Sequence, residues 1–344
     1  MTDLVVKSCG PMTTLQDRGR LGYQRFGVSP SGAMDRRALA MANVLVGNPP
    51  DTGAIEFMNL GGAFTAEGGD LRVALAGAGC SLSVDGTAAA PQTSVLLKEG
   101  QSLEVGHARS GTFAYLAVAG GLAVEPQLGS LSFHLRSRLG GLNGTPLKAG
   151  DRLPCRAGAE GGEPMQLALS LPEETGPIRV MLGPQDDYFT PETIRLLQES
   201  EFTISSQADR MGFQLTGPRL EHAKGFNIVS DGIVDGHIQV PGSGQPIVLM
   251  RDRQTAGGYP KIATVISADL GRFAQLRPGT AVRFKAVGRD EAVAAARQLK
   301  DWIAALPGSL TPVRFNLTTE HLLSRNLIGG MVNGLAPAAS DQAS

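Results

Sequence analysis

The chain has 344 residues, of which 42% are hydrophobic and 18% are charged, and its formal net charge at pH 7 is −1. This composition is typical of a folded globular protein long enough for two domains, and it excludes a disordered chain. Charges of both signs in nearly equal number predict that neither nucleic acid nor a membrane surface is a partner.

Targeting and metal signals are weak throughout the chain. Three cysteines, Cys9, Cys80 and Cys155, are odd in number and far apart, which argues against a disulfide framework. The five histidines form no HxH or HxxxH pair, so we expect no metal site. The sequence lacks a signal-peptide pattern and an apolar run long enough to span a bilayer, so we expect a cytoplasmic protein.

The first half of the chain reads as short strands and one helix. After a strand that starts near residue 4, a polar loop carries Asp17, Arg18 and Arg20. A helix is predicted over residues 35–46, with Asp35 as its N-cap and Gly47 ending it. Short strands are then predicted at residues 71–76, 93–97 and 112–118, a spacing that favours a barrel or a sandwich over alternating β and α units.

The second half follows a segment rich in Gly, Glu and Pro at residues 157–177, where we place a domain junction. We predict a β-rich domain at residues 1–165, a second domain at 166–308 and a partly disordered tail at 309–344. Thr190 and Asp290 are expected to cap two helices. The apolar face of the second helix is formed by Val293, Ala296, Leu299, Ile303 and Leu306.

The segment DRQTAGGYPK at residues 252–261 is the sharpest local signal for function. Its paired glycines would let backbone N–H groups approach an anion, and its Arg and Lys could hold a phosphate or a carboxylate. The alternative is a surface hairpin with solvated charges, and the residues alone leave both readings open.

Three other polar groups are candidates. His237 and Gln239 are two residues apart on a predicted strand, so both point to one face, either as a pocket wall or as an exposed surface. Asp209 and Arg210 form either a local ion pair that rigidifies a turn or a contact to substrate. The loop of Asp17, Arg18 and Arg20 is suited to carboxylate or phosphate binding, or is simply solvated.

Taken together, the motifs resemble the family of KipA and the 5-oxoprolinase C subunit, also labelled biotin-dependent carboxyltransferase or allophanate hydrolase subunit 2. The resemblance rests on six strings, in this order: TLQDRGRLGYQRFGVSPSGAMDRRALAMANVLVGN, GGLNGTPLKAGDRL, GPQDDYFT, SQADRMGFQLTGP, GHIQVPGSGQPIVLMRDRQTAGGYPKIATVISADL and QLRPGTAVRF. It implies a mainly β protein with a few short helices and two β-rich domains, at least the second a cyclophilin-like β-barrel.

The resemblance also implies an activity. The chain is similar to the C subunit of an ATP-dependent 5-oxoprolinase, which works with a KipI-like B subunit and a LamB/YcsF-like A subunit to open the 5-oxoproline lactam to glutamate. We expect ATP, with Mg, to be shared with the partner subunits, and the chain to be active only in the complex. One alternative is a biotin-dependent carboxyltransferase for a small amide or urea-like substrate. Another is a KipA-type regulatory protein that binds a KipI-like kinase inhibitor.

Lactam opening through phosphate transfer needs cations and a group that handles protons. We expect Lys261 and Arg253 to supply charge and Asp252 to handle protons, all three in the catalytic set. The residues expected to bind substrate are His237, Gln239, Gln254, Tyr259, Asp17, Arg18 and Arg20, and those expected to bind the cofactor are Gly257 and Gly258. The chain departs from the urea carboxylase pattern at residues 236–240 and 253–259, which argues against urea as substrate.

Overall fold

The computed structural model describes residues 2–158, 163–170 and 175–313. Within these residues the chain is mainly β with a few helices, as predicted. The predicted tail lies outside the described residues from position 314 onward. No helix in the described ranges is both long and apolar enough to cross a bilayer.

The elements of the first half are one helix and eleven strands. The strands are β1 (Thr2–Cys9), β2 (Thr14–Gln16), β3 (Ala54–Met58), β4 (Gly62–Glu67), β5 (Leu71–Gly77), β6 (Leu82–Val84), β7 (Thr87–Ala88), β8 (Ser94–Leu97), β9 (Ser102–Val105), β10 (Phe113–Val118) and β11 (Arg152–Cys155). Helix α1 (Arg36–Leu45) follows a 3-10 turn at Gln24–Phe26.

The described residues of the second half contain three more helices and twelve more strands. The strands are β12 (Met165–Leu167), β13 (Ile178–Leu182), β14 (Phe202–Ala208), β15 (Gly212–Thr216), β16 (Asp231–Gly232), β17 (His237–Gln239), β18 (Ile247–Leu249), β19 (Ala256–Gly257), β20 (Lys261–Val265), β21 (Ala281–Val282), β22 (Phe284–Ala286) and β23 (Leu310–Pro312). The helices are α2 (Pro191–Glu199), α3 (Leu270–Ala274) and α4 (Arg289–Ala305), with 3-10 turns at Asp186–Tyr188 and Leu306–Ser309.

Two antiparallel sheets build the first half. One has the order β11-β1-β4-β9-β6-β7 and the other the order β2-β3-β10-β5-β8, and one apolar core contains side chains from both. Strand β10 is buried on both faces, and its side chains alternate between two cores as the period of a strand requires. Ala114, Leu116 and Val118 belong to the core shared by the two sheets, whereas Phe113, Tyr115 and Ala117 belong to a second core.

Helix α1 lies in that second core. The side chain of Asp35 accepts hydrogen bonds from the N–H groups of Arg37 and Ala38, and Gly47 follows the helix with a φ of +79°. The helix packs on β5 and β10, and nine of its ten residues are buried. A helix covered all round must be mostly apolar, which explains its run of Ala, Leu, Met and Val.

An eight-stranded sheet with the order β21-β14-β15-β18-β17-β20-β13-β22 forms the second half. Strands β21 and β22 occupy its opposite edges, yet Arg283 is the single residue between them in the chain. The two edges must therefore come together, so the sheet curls into a nearly closed barrel. Its apolar side chains join those of α1 in one core, which ties the two halves of the chain together.

The N-cap residue predicted from the sequence is correct for α2 and wrong for α4. Thr190 caps α2 through the N–H of Thr193, with Pro191 in the first turn, as expected. The expectation that Asp290 caps α4 is wrong, because Gly288 is the N-cap residue and Asp290 lies in the first turn. There its carboxylate still favours the helix through the dipole.

A buried ionic network crosses between the two halves. Arg210, in the turn between β14 and β15, donates to Glu56 of β3 at 2.5 Å and through two nitrogens to both oxygens of Asp252, at 2.8 Å each. Glu56 also accepts from the Tyr115 hydroxyl at 2.6 Å. The predicted local pair of Asp209 with Arg210 is wrong. Asp209 instead accepts from the N–H of Met211.

The boundaries of the predicted domains stay a prediction. The first two sheets end at Cys155 and the barrel begins at Ile178, on either side of the proposed junction. The described residues up to Pro312 nevertheless form one compact unit.

We predict that Arg210→Met lowers the free energy of unfolding by about 3–5 kcal/mol, because it leaves two buried carboxylates without their cation. Urea denaturation measures this loss. The matched control is Arg283→Met, which removes the partner of Glu201 from a pair whose side chains are 61% and 52% exposed. Here the expected loss is about 1 kcal/mol or less. Equal losses in the two variants would contradict the assigned role of Arg210.

Candidate functional site

The polar face predicted on β17 exists, but it is covered. His237 and Gln239 pair across the sheet with Thr264 and Lys261 of β20, so their side chains share one face. His237, Gln239 and Lys261 are all buried. The cover is a small two-stranded ribbon formed by β16 and β19, which pair although β17 and β18 lie between them in the chain. In this β16–β19 ribbon Gly257 lies so close to Gln239 that a Cβ atom there would be 2.7 Å from its Nε2.

Lys261 is completely buried beneath a carboxylate that reaches solvent. Its Nζ donates to Asp231 at 2.9 Å, and the side chain of Asp231 is 52% exposed. Gln185 donates to the same carboxylate oxygen and accepts from the N–H of Lys261. The hydrogen bond from Lys261, reinforced by the one from Gln185, lowers the pKa of Asp231 to about 2. The pair therefore presents a permanent negative charge at the surface and a positive charge below it.

His237 is held neutral. Burial, followed by the positive charges of Lys261 and Arg253, lowers its pKa to about 4. Its Nδ1 accepts a hydrogen bond from the N–H of Val234 at 3.3 Å, which leaves the other ring nitrogen to carry the proton. Gln239 Nε2 is a buried donor without a hydrogen-bond partner among the described residues. These two side chains can therefore offer hydrogen bonds to a ligand.

Arg253 and Arg251 share one carboxylate. Asp235 accepts from Arg251 through one oxygen and from Arg253 through the other. Arg253 also approaches Gln24 of the first half at 3.4 Å, and Gln24 donates to the carbonyl of Ile233 at 2.5 Å. The loop that precedes α1 thus reaches this site through Gln24.

Asp252 is not free to contact a ligand in this structure. Both of its oxygens are engaged by Arg210 inside the protein. Although burial alone would lower the pKa of Arg210, the charges of Asp252 and Glu56 raise it, so this cation does not release its proton to a ligand. Proton handling by Asp252 stays a prediction. The observed geometry favours a positioning role, in which Asp252 holds the chain segment that carries Arg251 and Arg253.

The polar loop of the first half is largely structural. The carboxylate of Asp17 accepts four hydrogen bonds, from Gly19, Leu131 and the hydroxyls of Ser130 and Ser132. Arg20 is buried and donates to the carbonyl oxygens of residues 127, 130 and 132. Arg18 is exposed. Substrate contact by these residues stays a prediction, and their observed partners are other loops.

The remaining predicted residues surround the cover. Gln254 and Tyr259 are exposed, and Gly258 receives the N–H of Ile228 on its carbonyl oxygen. Sequence reasoning assigned no role to Gln24, Gln185, Asp231, Asp235 and Arg251. Each of these polar residues lies within one of the motif strings or in the segment just before β17. That position is the feature of the sequence from which they could have been identified.

A cleft of about 850 Å³ adjoins the cluster. We call it the α4 cleft because residues of α4 form one of its walls. The start of α1 and the segment after β20 also line it, and its polar groups include Gln24, Asp235, Arg251, Arg253 and Thr264. Since Thr264 pairs with His237 across the sheet, the cleft lies next to the buried polar face.

We predict that Gly257→Ala costs about 1 kcal/mol of stability, because the ends of the buried Ile233 and Gln239 side chains must shift to admit its methyl group. The neighbouring Gly258→Ala is the control, since a Cβ atom there meets nothing closer than 3.4 Å. Thermal or urea unfolding of both variants measures the difference. If both are equally stable, the β16–β19 ribbon does not press on Gln239.

Comparisons with known proteins agree with this architecture. The family model described as "Carboxyltransferase domain, subdomain A and B" matches residues 26–286. The chain is 38% identical to the 5-oxoprolinase C subunit of Escherichia coli over 307 residues, which is 88% of this chain and 97% of that protein. It is 37% identical to the 5-oxoprolinase C subunit of Haemophilus influenzae, covering 83% of this chain and 91% of that one.

Longer proteins contain a similar part. Urea amidolyase of Saccharomyces cerevisiae is 31% identical over 80% of this chain, which spans 16% of that protein. The crystal structure of Kluyveromyces lactis urea carboxylase superposes with a TM-score of 0.81 at 27% identity, over 91% of this chain and 30% of that one. The structure of TTHA0988 superposes with a TM-score of 0.75 at 35% identity, over 83% of this chain. The chain spans about half of TTHA0988, at 56%.

The family match covers more than half of the chain, and the two bacterial relatives are matched along nearly their whole length. The resemblance read from the motifs is therefore confirmed. The chain belongs to the family of the carboxyltransferase domain, subdomains A and B, and is similar to the C subunit of 5-oxoprolinase.

Proposed function

We propose that this chain is the C subunit of an ATP-dependent 5-oxoprolinase in the cytoplasm. It would work with a KipI-like B subunit and a LamB/YcsF-like A subunit to open the lactam of 5-oxoproline to glutamate. The observation that carries the proposal is the match to two proteins named as the C subunit of 5-oxoprolinase, over 97% and 91% of their lengths. A match along the whole relative, rather than over a shared module, supports a shared role.

Opening of the lactam requires stabilisation of negative charge. An amide carbonyl is a poor electrophile, and transfer of the ATP phosphoryl group to its oxygen would activate the carbonyl carbon. A first water would then add to that carbon, the C–N bond would break as the ring nitrogen takes up a proton and leaves, and a second water would release phosphate from the resulting acyl phosphate. In the overall reaction one ATP and two water molecules convert the lactam to glutamate, ADP and phosphate. The residues of this chain would stabilise the negative charge and orient the ring.

The buried cluster supports this assignment. Lys261 and Arg253 are cations held in a low-dielectric setting, where their effect on a nearby charge is larger than in water. His237 is neutral above about pH 5, and its protonated ring nitrogen would donate a hydrogen bond to the substrate. Gln239 would supply its free N–H to the substrate carbonyl. We assign no magnesium ligand to this chain, and the described residues contain no group of three or more metal-binding side chains.

Because the polar face is covered, we propose that the KipI-like partner completes the site and moves the β16–β19 ribbon. Gly257 and Gly258 lie in or next to this ribbon, and their proposed contact with the cofactor requires it to move.

We predict that Lys261→Met lowers the ATP hydrolysis stimulated by 5-oxoproline by at least about 100-fold in the reconstituted three-subunit enzyme, because a charge-stabilising group is lost. The variant should fold, since its former partner Asp231 reaches solvent and leaves no buried carboxylate behind. Lys224→Met is the control, as Lys224 forms an exposed pair with Asp187.

A full rate in Lys261→Met, with the complex intact by size-exclusion chromatography, would remove Lys261 from the mechanism. Absence of 5-oxoproline-dependent ATP hydrolysis in the unmodified complex would overturn the proposed function itself.

A second candidate function is carboxyl transfer from biotin to a small amide or urea-like substrate. The family match and the 31% identity to yeast urea amidolyase favour it. The sequence lacks the Ala/Val-Met-Lys-Met string of a biotin carrier, so this reaction would need a separate carrier chain. Activity that disappears with avidin and returns with excess biotin would establish this candidate and displace the first.

A further inference from the structure

The α4 cleft carries an excess of positive charge in a chain whose net charge is −1. Six basic and three acidic side chains line it. Two of the three acids are already engaged. Asp35 accepts from Arg37 and from Gln275, and Asp235 accepts from both Arg251 and Arg253. The third, Asp51, is exposed. The cleft is therefore a site of positive potential.

Arg36 is a partly buried cation of this cleft, and none of the described carboxylates forms a salt bridge with it. Its guanidinium donates to the carbonyl oxygen of Arg18 at 2.9 Å, and its Nε is buried without a partner among the described residues. Burial, followed by the positive charge of Arg251, lowers its pKa. Arg36 and Arg251 line the same cleft, and two guanidinium groups that repel each other favour a bound anion between them.

Much of the rest of the cleft lining is aliphatic. Ala292, Ala296, Leu299 and Ile303 follow the period of α4 and line the cleft, and Val293 beside them is 39% exposed. Within α4, Ala295 is the buried residue, so the apolar face predicted from sequence is only partly covered. Val265, Ile266 and Leu270 also line the cleft. A helix that presents an apolar stripe to an open cleft offers a surface for an apolar ligand.

We propose that the α4 cleft binds an amphipathic carboxylate, a molecule with a carboxylate head and a saturated hydrocarbon body. The carboxylate lies between Arg36 and Arg251, and the hydrocarbon lies between α4 and the segment that follows β20. Arg is the side chain best suited to bind a carboxylate through two parallel hydrogen bonds, and an aliphatic wall without aromatic rings suits a saturated chain.

The volume agrees with this class of ligand. At about 850 Å³ the cleft lies within the range of about 300–1,000 Å³ that is typical of small-molecule sites. The proposal does not depend on the activity proposed above. Arg253 of the proposed catalytic set also lines the cleft, but the ligand is assigned to Arg36, Arg251 and the wall of α4, none of which is in the catalytic or substrate-binding set.

The test is a titration of the purified full-length chain with hexanoate, 1-hexanol and acetate, followed by calorimetry. Hexanoate should bind at one saturable site, at least about tenfold more tightly than 1-hexanol, which lacks the charge. It should also bind at least about tenfold more tightly than acetate, which lacks the chain. Equal affinity for hexanoate and 1-hexanol, or no saturable binding of hexanoate, would overturn the proposal.

Substitutions in and near the α4 cleft test where the ligand binds. Arg36→Gln should weaken hexanoate binding by about tenfold and leave 1-hexanol unchanged, whereas Arg36→Lys should retain part of the affinity. Ala296→Glu should weaken both ligands, because it places a charge on the aliphatic wall. Arg297→Gln, on the exposed side of the same helix, is the control and should match the unmodified chain. Unchanged hexanoate binding in Arg36→Gln, with an unaltered melting temperature, would refute the assignment of the carboxylate to Arg36.

Discussion

The structure depends on one buried cation that lies between two carboxylates. Arg210 is separated from Glu56 by 154 positions in the chain and from Asp252 by 42, and it bonds to both inside the protein. A buried ion pair adds little net stability on its own. Removal of one partner is nevertheless strongly destabilising, because it leaves an uncompensated buried charge. The network therefore specifies how the barrel meets the sandwich.

The candidate site is a consequence of that junction. Asp252 is held by Arg210, so the residues on either side of it, Arg251 and Arg253, are brought to Asp235 and to the loop of Gln24. The two arginines have different surroundings. Both line the α4 cleft, but the charge of Arg253 also acts on His237, whereas that of Arg251 acts on Arg36. One short segment thus contributes to the covered cluster and to the open cleft.

The covered polar face agrees with a protein that completes its site in an assembly. Lys261 and Gln239 are covered by the β16–β19 ribbon, which has only two residues on each strand, and a pairing that short is marginal by itself. Because Asp231 belongs to this ribbon and is the partner of Lys261, movement of the ribbon would also uncover the cation. Both the burial of the charge and access to it therefore depend on this ribbon.

Much of the fold followed from the sequence alone. The helix at Asp35, the helix at Thr190 and the strand predicted at residues 112–118 were predictable, because helix capping and strand propensity depend on residues within a few positions of one another. The ordered motifs also determined the family.

Tertiary structure decided which polar residues meet. Asp17 and Asp252 are both acids in polar, Gly-containing segments, yet one holds loops through residues 130–132 and the other holds Arg210. Arg210 pairs with Asp252 rather than with its neighbour Asp209. The physical reason is that burial and pairing depend on contacts between positions more than 40 and often more than 100 residues apart. The one-dimensional order of the chain carries no record of which of these positions become neighbours.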